Sequence, residues 1–352
     1  MFPSLVDKSA TEILSSSKRT PTLSRNRNSL DLNKNTLFLK VSILPPMDLF
    51  SLLPDHLISS ILSHLPFHQA ARTSTLSRRW RTLWTGITAV NITADHLSPG
   101  NTNKQIQYVD TILSRPELNL ASKFHIKFCP TDEHHCPVMA RWAEELGRRG
   151  VSELSLINVG AVYATVPCIL SCKSLTVLKL RACKLDNGDG CSTSPPPLVG
   201  CTNLRSLDLE GVAVSDATIR EVASSCEHLE SLNVQYSSQH KVIVHHQRLA
   251  RFILRSRVCS CVDISAPNLE EWELDVPSDL KRISVLAPVV RRSSICFQWC
   301  SSQRGSHSLA EQLGGLLAGI ASTKYLRLRG AVVKVGQLAS RALLKFWSLF
   351  KC

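Results

Sequence analysis

The chain has 352 residues, a net charge of +13, 43% hydrophobic residues and 6% aromatic ones. That is room for two domains or one long one, with enough apolar content for a core, and no apolar run reaches the ~18–20 residues of a membrane span. The positive charge is dispersed rather than gathered into a Lys/Arg block, so neither a nucleic acid nor a membrane is the expected partner.

Residues 1–46 are rich in Ser, Thr, Asn, Lys and Arg and lack apolar periodicity, which reads as a disordered basic tail. An organelle transit peptide is the alternative, and Asp7, Glu12 and Asp31 count against it. A third reading takes Met47 as the natural start and the tail as non-native.

From Leu53 the pattern changes. Leu57, Ile58, Ile61, Leu62 and Leu65 fall at spacings of one, three and four and form one apolar helical stripe, opened by Pro54-Asp55 and stopped by Pro66. Ala70, Ala71 and Leu76 can line a second short helix. Ser77 can cap a third that puts Trp80, Leu83 and Trp84 on one face, with Arg78, Arg79 and Arg81 pointing away. Helices this short are not stable alone, and so small a module cannot bury this much Leu, Ile and Trp internally. Some of that surface needs a partner.

The run Leu53-Pro54-Asp55, Ile61 to Pro66, Ala70 to Ser74, Leu76 to Arg81 and Leu83-Trp84 resembles an F-box, in the form found in plant F-box/leucine-rich-repeat proteins of the FBD-like type. The resemblance covers about 32 residues. It implies a helical module that docks on a Skp-type adaptor and, through it, on cullin and RING subunits of a ubiquitin ligase. The adaptor-binding residues it implies are Leu53, Pro54, Leu57, Ile61, Leu65, Pro66, Leu76, Trp80, Leu83 and Trp84.

Beyond Thr85, Ala89 to Ile92 reads as a strand, Thr102 to Ser114 as a helix, Phe124 to Phe128 as a strand and Pro137 to Arg148 as a helix ending at Gly150. Strands alternating with helices suggest stacked units with a parallel sheet. From Val151 a Leu-x-x-Leu-x-Leu repeat emerges: Val151/Leu154/Leu156, Leu175/Leu178/Leu180, Leu204/Leu207/Leu209 and Leu229/Leu232/Val234, at the 20–29-residue spacing of leucine-rich repeats. Asp216 to Ser225 supplies a helical return. Shorter units follow at Cys259/Val262/Ile264, Leu269/Trp272/Leu274 and Leu280/Ile283/Val285, then a helix over 308–321 and a strand at Tyr325 to Leu328. The expected architecture is α+β: an all-α F-box followed by an α/β solenoid with a parallel sheet on its concave face. Its segments are 1–46 tail, 47–90 F-box, 91–150 connecting region with first irregular repeats, 151–330 leucine-rich repeats and 331–352 an atypical or truncated C-terminal region with the apolar run Leu343 to Phe350.

Leucines of such units are core, and recognition falls to the outward positions between them. The substrate-binding candidates are Lys179, Arg181, Ser206, Asp208, Glu210, Asn233, Gln235, Glu271 and Glu273; Arg282, Ser284, Arg327 and Arg329 are read as facing the same way. The charge sign changes from strand to strand, which favours a polar protein ligand over a polyanion. Thirteen cysteines, an odd count in a long chain, read as reduced thiols of a nuclear or cytoplasmic protein. Cys129, His134, His135 and Cys136 form the best metal-like cluster but lack zinc-site spacing. No nucleotide-binding or serine-hydrolase motif occurs. The expected role is a non-catalytic substrate receptor without cofactor or metal; a non-degradative repeat scaffold is the alternative.

Overall fold

The computed structural model describes residues 49–93, 97, 101–118, 121–130, 133–160, 164–165, 169, 172–185, 201–236, 240–277, 280–298, 316 and 323–330. The tail, Met47, the C-terminal apolar run and all of the 308–321 helix except Leu316 lie outside those residues.

A 3-10 turn at Leu49–Leu52 leads into α1 (Asp55–Leu62), α2 (Phe67–Arg72) and α3 (Trp80–Leu83). Pro54 and Pro66 stand immediately before α1 and α2, where a missing N–H costs nothing. Of these helices, α2 lies against the first strand of a ten-stranded parallel sheet. Its strands, in spatial order, are β1 (Ala89–Thr93), β2 (Lys123–Phe128), β3 (Glu153–Asn158), β5 (Val177–Arg181), β7 (Ser206–Glu210), β8 (Ser231–Gln235), β10 (Arg251–Arg255), β12 (Glu271–Pro277), β14 (Arg292–Gln298) and β15 (Tyr325–Gly330). The sheet therefore begins at the end of the helical module, well ahead of the Val151 repeat.

Register explains why these residues form strands. Leu154, Leu178, Leu207, Leu232, Phe252, Trp272 and Ser293 oppose one another in sequence, as do Leu156, Leu180, Leu209, Val234, Leu254, Leu274 and Ile295. All are buried. The period-2 alternation sends the residues between them to the other face. Burying each apolar one of these side chains contributes about 1.5–3 kcal/mol, and only neighbouring coils supply the contacts.

The core side of the sheet carries two kinds of return. Helices α4 (Thr102–Leu113), α5 (Cys136–Arg148) and α6 (Asp216–Ser225) cover the early and middle coils. Asn101 Oδ1 and Ser215 Oγ accept from the N–H groups of Lys104 and Thr218, at 3.1 Å each, and cap α4 and α6. Trp142 on α5 meets Phe128 edge to face at 5.0 Å. Short strands β4 (Ala164–Thr165) and β6 (Cys183–Lys184) pair with each other. Between β8 and β14 the described returns are strands instead of helices. They are β9 (Lys241–His245), β11 (Cys261–Ser265) and β13 (Arg282–Leu286), which form a second parallel sheet in the order β13–β11–β9.

This corrects the later repeats. The Cys259/Val262/Ile264 and Leu280/Ile283/Val285 units belong to the second sheet, not to one series with Leu269/Trp272/Leu274. Arg282 and Ser284 therefore do not share a face with Glu271 and Glu273. Two units of the main sheet, Leu249/Phe252/Leu254 and Val290/Ser293/Ile295, complete the series. A strand return needs fewer residues than a helix with its two turns, so the coil shortens: Leu232, Phe252, Trp272 and Ser293 follow at 20, 20 and 21 residues.

Three consecutive coils also bend at one equivalent place. Ala182, Gly211 and Tyr236 directly follow β5, β7 and β8, and all have positive φ, at 51°, 59° and 52°. Their N–H groups donate to the carbonyls of Glu210, Gln235 and Arg255, the last residue of the next strand, at 2.9, 2.7 and 2.6 Å. Only glycine adopts this bend freely; alanine and tyrosine there cost of order 1–3 kcal/mol, which the surrounding hydrogen bonds offset. On the loop side, Cys172, Cys201 and Cys226 occupy equivalent buried positions. Cys201 Sγ donates to the Cys172 carbonyl at 3.4 Å and Cys226 Sγ to the Cys201 carbonyl at 3.3 Å. Burial pushes the Cys201 thiol up to about 12 and the Cys226 thiol to about 11, so these cysteines act as small core groups.

Phe252→Ala empties a fully buried position of the main sheet and is expected to cost about 3–5 kcal/mol. Arg282→Ala, at an exposed position of the second sheet, should stay within about 0.5 kcal/mol. Denaturant melts of both variants against wild type measure the difference.

Candidate functional site

Two surfaces could hold partners. The first is on the helical module. The wide stripe on α1 divides: Ile58 and Leu62 are buried, while Leu57 and Ile61 are each 43% exposed. Leu76 is 67% exposed, and beside the module Phe50 and Leu52 are 56% and 66% exposed. Phe50 meets Trp80 edge-on at 6.4 Å, which places it on the same side as α3. Sequence reasoning began at Leu53 and missed Phe50 and Leu52; their apolar spacing just ahead of Leu53-Pro54 was the available signal.

Among the other adaptor candidates, Pro54 is exposed, while Leu53, Leu65, Pro66 and Trp80 are half-buried. Pro66 bridges in parallel to Asn91 on β1. Leu83 and the half-buried Trp84 also make contacts within the chain. Leu83 is buried, and its carbonyl accepts from Ser59 Oγ at 3.3 Å. Trp84 lies edge-on to Phe67 at 5.9 Å and under the Arg115 guanidinium at 5.7 Å. Both serve to seat the module on the body. Arg79 departs from expectation: it folds back to Asp55 at 2.6 Å and donates to the Leu53 carbonyl, tying the third helix to the start of the first. The pair is largely exposed, so its contribution is positional more than energetic.

The second surface is the polar face of the ten-stranded sheet. Lys179, Arg181, Ser206, Asp208, Glu210, Asn233, Gln235, Glu271 and Glu273 all sit on it, brought together across five strands by the parallel register. Most of them engage one another. Arg181 pairs with Glu210 at 3.3 Å. Asn233 Nδ2 donates to Asp208 Oδ1 at 2.9 Å, Gln235 Nε2 to Asn233 Oδ1 at 3.0 Å, and Arg255 to Gln235 Oε1 at 3.0 Å. Burial holds the Asp208 carboxyl above the usual range, with Lys179 and Asn233 opposing that shift and Glu210 adding to it. Arg251, Arg255 and Arg292 belong to the same face and were missed because β10 and β14 were missed.

Two hollows open on this face among the described residues. One of about 520 Å³ lies where the helical module meets the sheet and is lined by His64, Lys123, His125, Ser155 and Lys179. His125 Nδ1 lies 3.0 Å from Ser155 Oγ. The other, of about 1080 Å³, lies over β10, β12, β14 and β15. As for the cluster near Cys129, His135 Nε2 lies 3.4 Å from Asn103 Oδ1, and among the described residues no three His, Cys, Asp or Glu side chains converge as a metal site requires.

Comparison with known proteins matches two stretches of the chain to domain families. Residues 50–87 match the F-box domain, and residues 139–295 match the LRR repeats of FBD-associated F-box protein At5g56370. The chain is 30% identical over 196 residues to the F-box/FBD/LRR-repeat protein At1g13570 of Arabidopsis thaliana, covering 54% of this chain and 44% of that protein. It is 27% identical over 243 residues to F-box/LRR-repeat protein 13 of the same plant, covering 65% and 52%. It is also 27% identical over 237 residues to the FBD-associated F-box protein At4g10400, covering 66% and 54%. The chain spans about half the length of the curated relatives it matches.

His125 generates a pH prediction. Burial, then Lys179 and Lys127, lower its pKa, so the fold favours the neutral ring. The unfolded chain then binds the proton more readily. Stability from this group is complete above the ordinary value of about 6.5 and is lost as pH falls below it. His125→Gln keeps a partner for Ser155 and is expected to reduce the loss of melting temperature between roughly pH 7 and pH 5 relative to wild type. Parallel melts across that range provide the check.

Proposed function

We infer, from a chain that carries an F-box followed by leucine-rich repeats of the FBD-associated type, that it is the substrate-recognition subunit of a Skp–cullin–F-box ubiquitin ligase. The observation that carries this reading is the divided stripe on α1. Ile58 and Leu62 anchor the module, and Leu57, Ile61, Leu76, Phe50 and Leu52 remain uncovered on a body whose remaining apolar side chains are largely buried. An exposed apolar cluster rimmed by polar residues fits a protein interface. A Skp-type adaptor is the proposed occupant, with cullin and RING subunits joined through it.

The repeats would hold the target protein on the polar face of the sheet. The chain's own contribution is then proximity: it raises the effective concentration of target lysines near the charged conjugating enzyme, and no residue of it needs to do covalent chemistry. Ubiquitination and proteasomal degradation of the target follow in this reading. Action in the nucleus or cytoplasm accords with the free, buried cysteines Cys172, Cys183, Cys201, Cys226 and Cys259.

The module and the face can be tested separately. Leu57→Lys with Ile61→Lys is expected to abolish co-purification of a Skp-type adaptor and cullin while leaving the melting temperature unchanged, because both side chains are exposed. Adaptor capture at wild-type strength would refute the assignment. On the face, Asp208→Asn with Glu210→Gln preserves hydrogen-bonding geometry but removes two negative charges. It should leave adaptor capture intact and change the set of proteins that accumulate with the chain under proteasome inhibition; an unchanged set would move recognition away from the middle strands.

A further inference from the structure

The end of the polar face formed by β10, β12, β14 and β15 differs electrically from its middle. The hollow of about 1080 Å³ is lined by Arg251, Arg292, Lys324, Arg327 and Arg329 against Glu271 and Glu273. Both carboxylates are already held. Glu271 receives Arg251 at 2.9 Å and Arg292 at 3.0 Å from the strands on either side. Glu273 receives Arg255 at 2.9 Å from one neighbouring strand and lies 3.9 Å from Arg329 two strands away. Each glutamate thus orients two guanidiniums and cannot neutralise both. A guanidinium has five N–H donors, so orientation by one carboxylate leaves donors free for a ligand. Among the described residues, Lys324 and Arg327 have no carboxylate within ion-pair distance.

We propose that this hollow is a recognition bay for an extended acidic segment, a run of Asp and Glu residues, in the target protein. The proposal rests on the substrate-receptor reading and specifies its ligand. The cations lie on β10, β14 and β15, with glutamate-bearing β12 between the first two; at ~4.8 Å per strand they span ~14 Å, which an extended peptide crossing the strands at ~3.3 Å per residue covers with about four residues. A single phosphate would use only part of that spread. Among the described residues, Tyr325 is the one aromatic side chain exposed in the bay, which is too few for a stacking platform, so a nucleic acid is disfavoured. Pre-oriented guanidiniums favour carboxylate recognition because the donor geometry is set before the ligand arrives.

The test is fluorescence anisotropy on the full chain bound to its adaptor, with three probes: an octaglutamate-containing peptide, its glutamine analogue and a single-stranded oligonucleotide of equal charge. The expected result is at least about tenfold tighter binding of the glutamate peptide than of the analogue, weakening with salt. Lys324→Glu with Arg327→Glu should reduce that binding at least about tenfold with adaptor capture unchanged. Neither residue orients a glutamate, and Lys324→Gln with Arg327→Gln gives the same reading with smaller effect should the reversal fail to fold. Equal binding by wild type and the neutral variant, or tighter binding of the oligonucleotide, overturns the acidic-peptide assignment while leaving the receptor reading in place. Loss of adaptor capture by wild type would instead overturn the receptor reading.

Discussion

In-register stacking of parallel strands is the constraint on which everything else in this molecule depends. A lone coil has nowhere to bury Leu207 and Leu209. Placed between Leu178 and Leu180 on one side and Leu232 and Val234 on the other, the same residues become interior. The backbone follows the same rule, since each strand's donors and acceptors are satisfied only by its neighbours. A solenoid built this way has an open edge at its first strand. Here the helical module covers that edge: α2 lies against β1, Pro66 bridges to Asn91, and Ser63 Oγ accepts from the Thr88 N–H at 3.2 Å. One module therefore closes the stack with one side and offers Leu57 and Ile61 with the other.

The change of return after β8 has a comparable logic. Helix α6 is followed in the back layer by β9, which contacts it directly. From there Val242, Val244, Val262 and Ile264 fill the positions that helical side chains fill in earlier coils. β-Branched residues suit this because they pack well on a pleated surface and lose little by extension. Rings of two strands per coil keep the main-sheet register unbroken while the coil shortens.

Much of this was legible. The Leu-x-x-Leu-x-Leu units from Val151 to Val234 stood out because leucine occupies nearly every inward position. β10 and β14 were hidden for a specific reason: Phe252 and Ser293 take the leucine site, and the buried Ser293 hydroxyl is satisfied there by the Trp272 Nε1 donor and by Thr323 Oγ1 at 3.4 Å. The second sheet was misread as a continuation of the first because both use the same apolar alternation, and alternation alone carries no information about which of two sheets a strand joins. In the helical module, periodicity found the stripe but not its division. Ile58 and Leu57 are adjacent and equally apolar, and it is the packing of α3 and the turn after it on α1 that decides which of them is covered.

The polar face shows the same limit for charge. Read along the chain, Arg251, Glu271 and Arg292 are isolated residues of alternating sign, and an evenly mixed surface is the natural inference. The parallel register sets them side by side, and the sum becomes local. In the middle strands, Asp208 and Glu210 meet Asn233, Gln235 and Arg181, so acids and amides share one network. Four strands at the far end place two glutamates among a larger number of guanidiniums, and the pairs that form leave positive charge over. Exposed pairs of this kind add little to stability. What they do is hold long side chains in place, which lowers the entropy a ligand must remove on binding. A face assembled from such ladders can therefore differ in charge from one end to the other without any cluster of like residues in the sequence, because adjacency here is set by coil length and not by chain position.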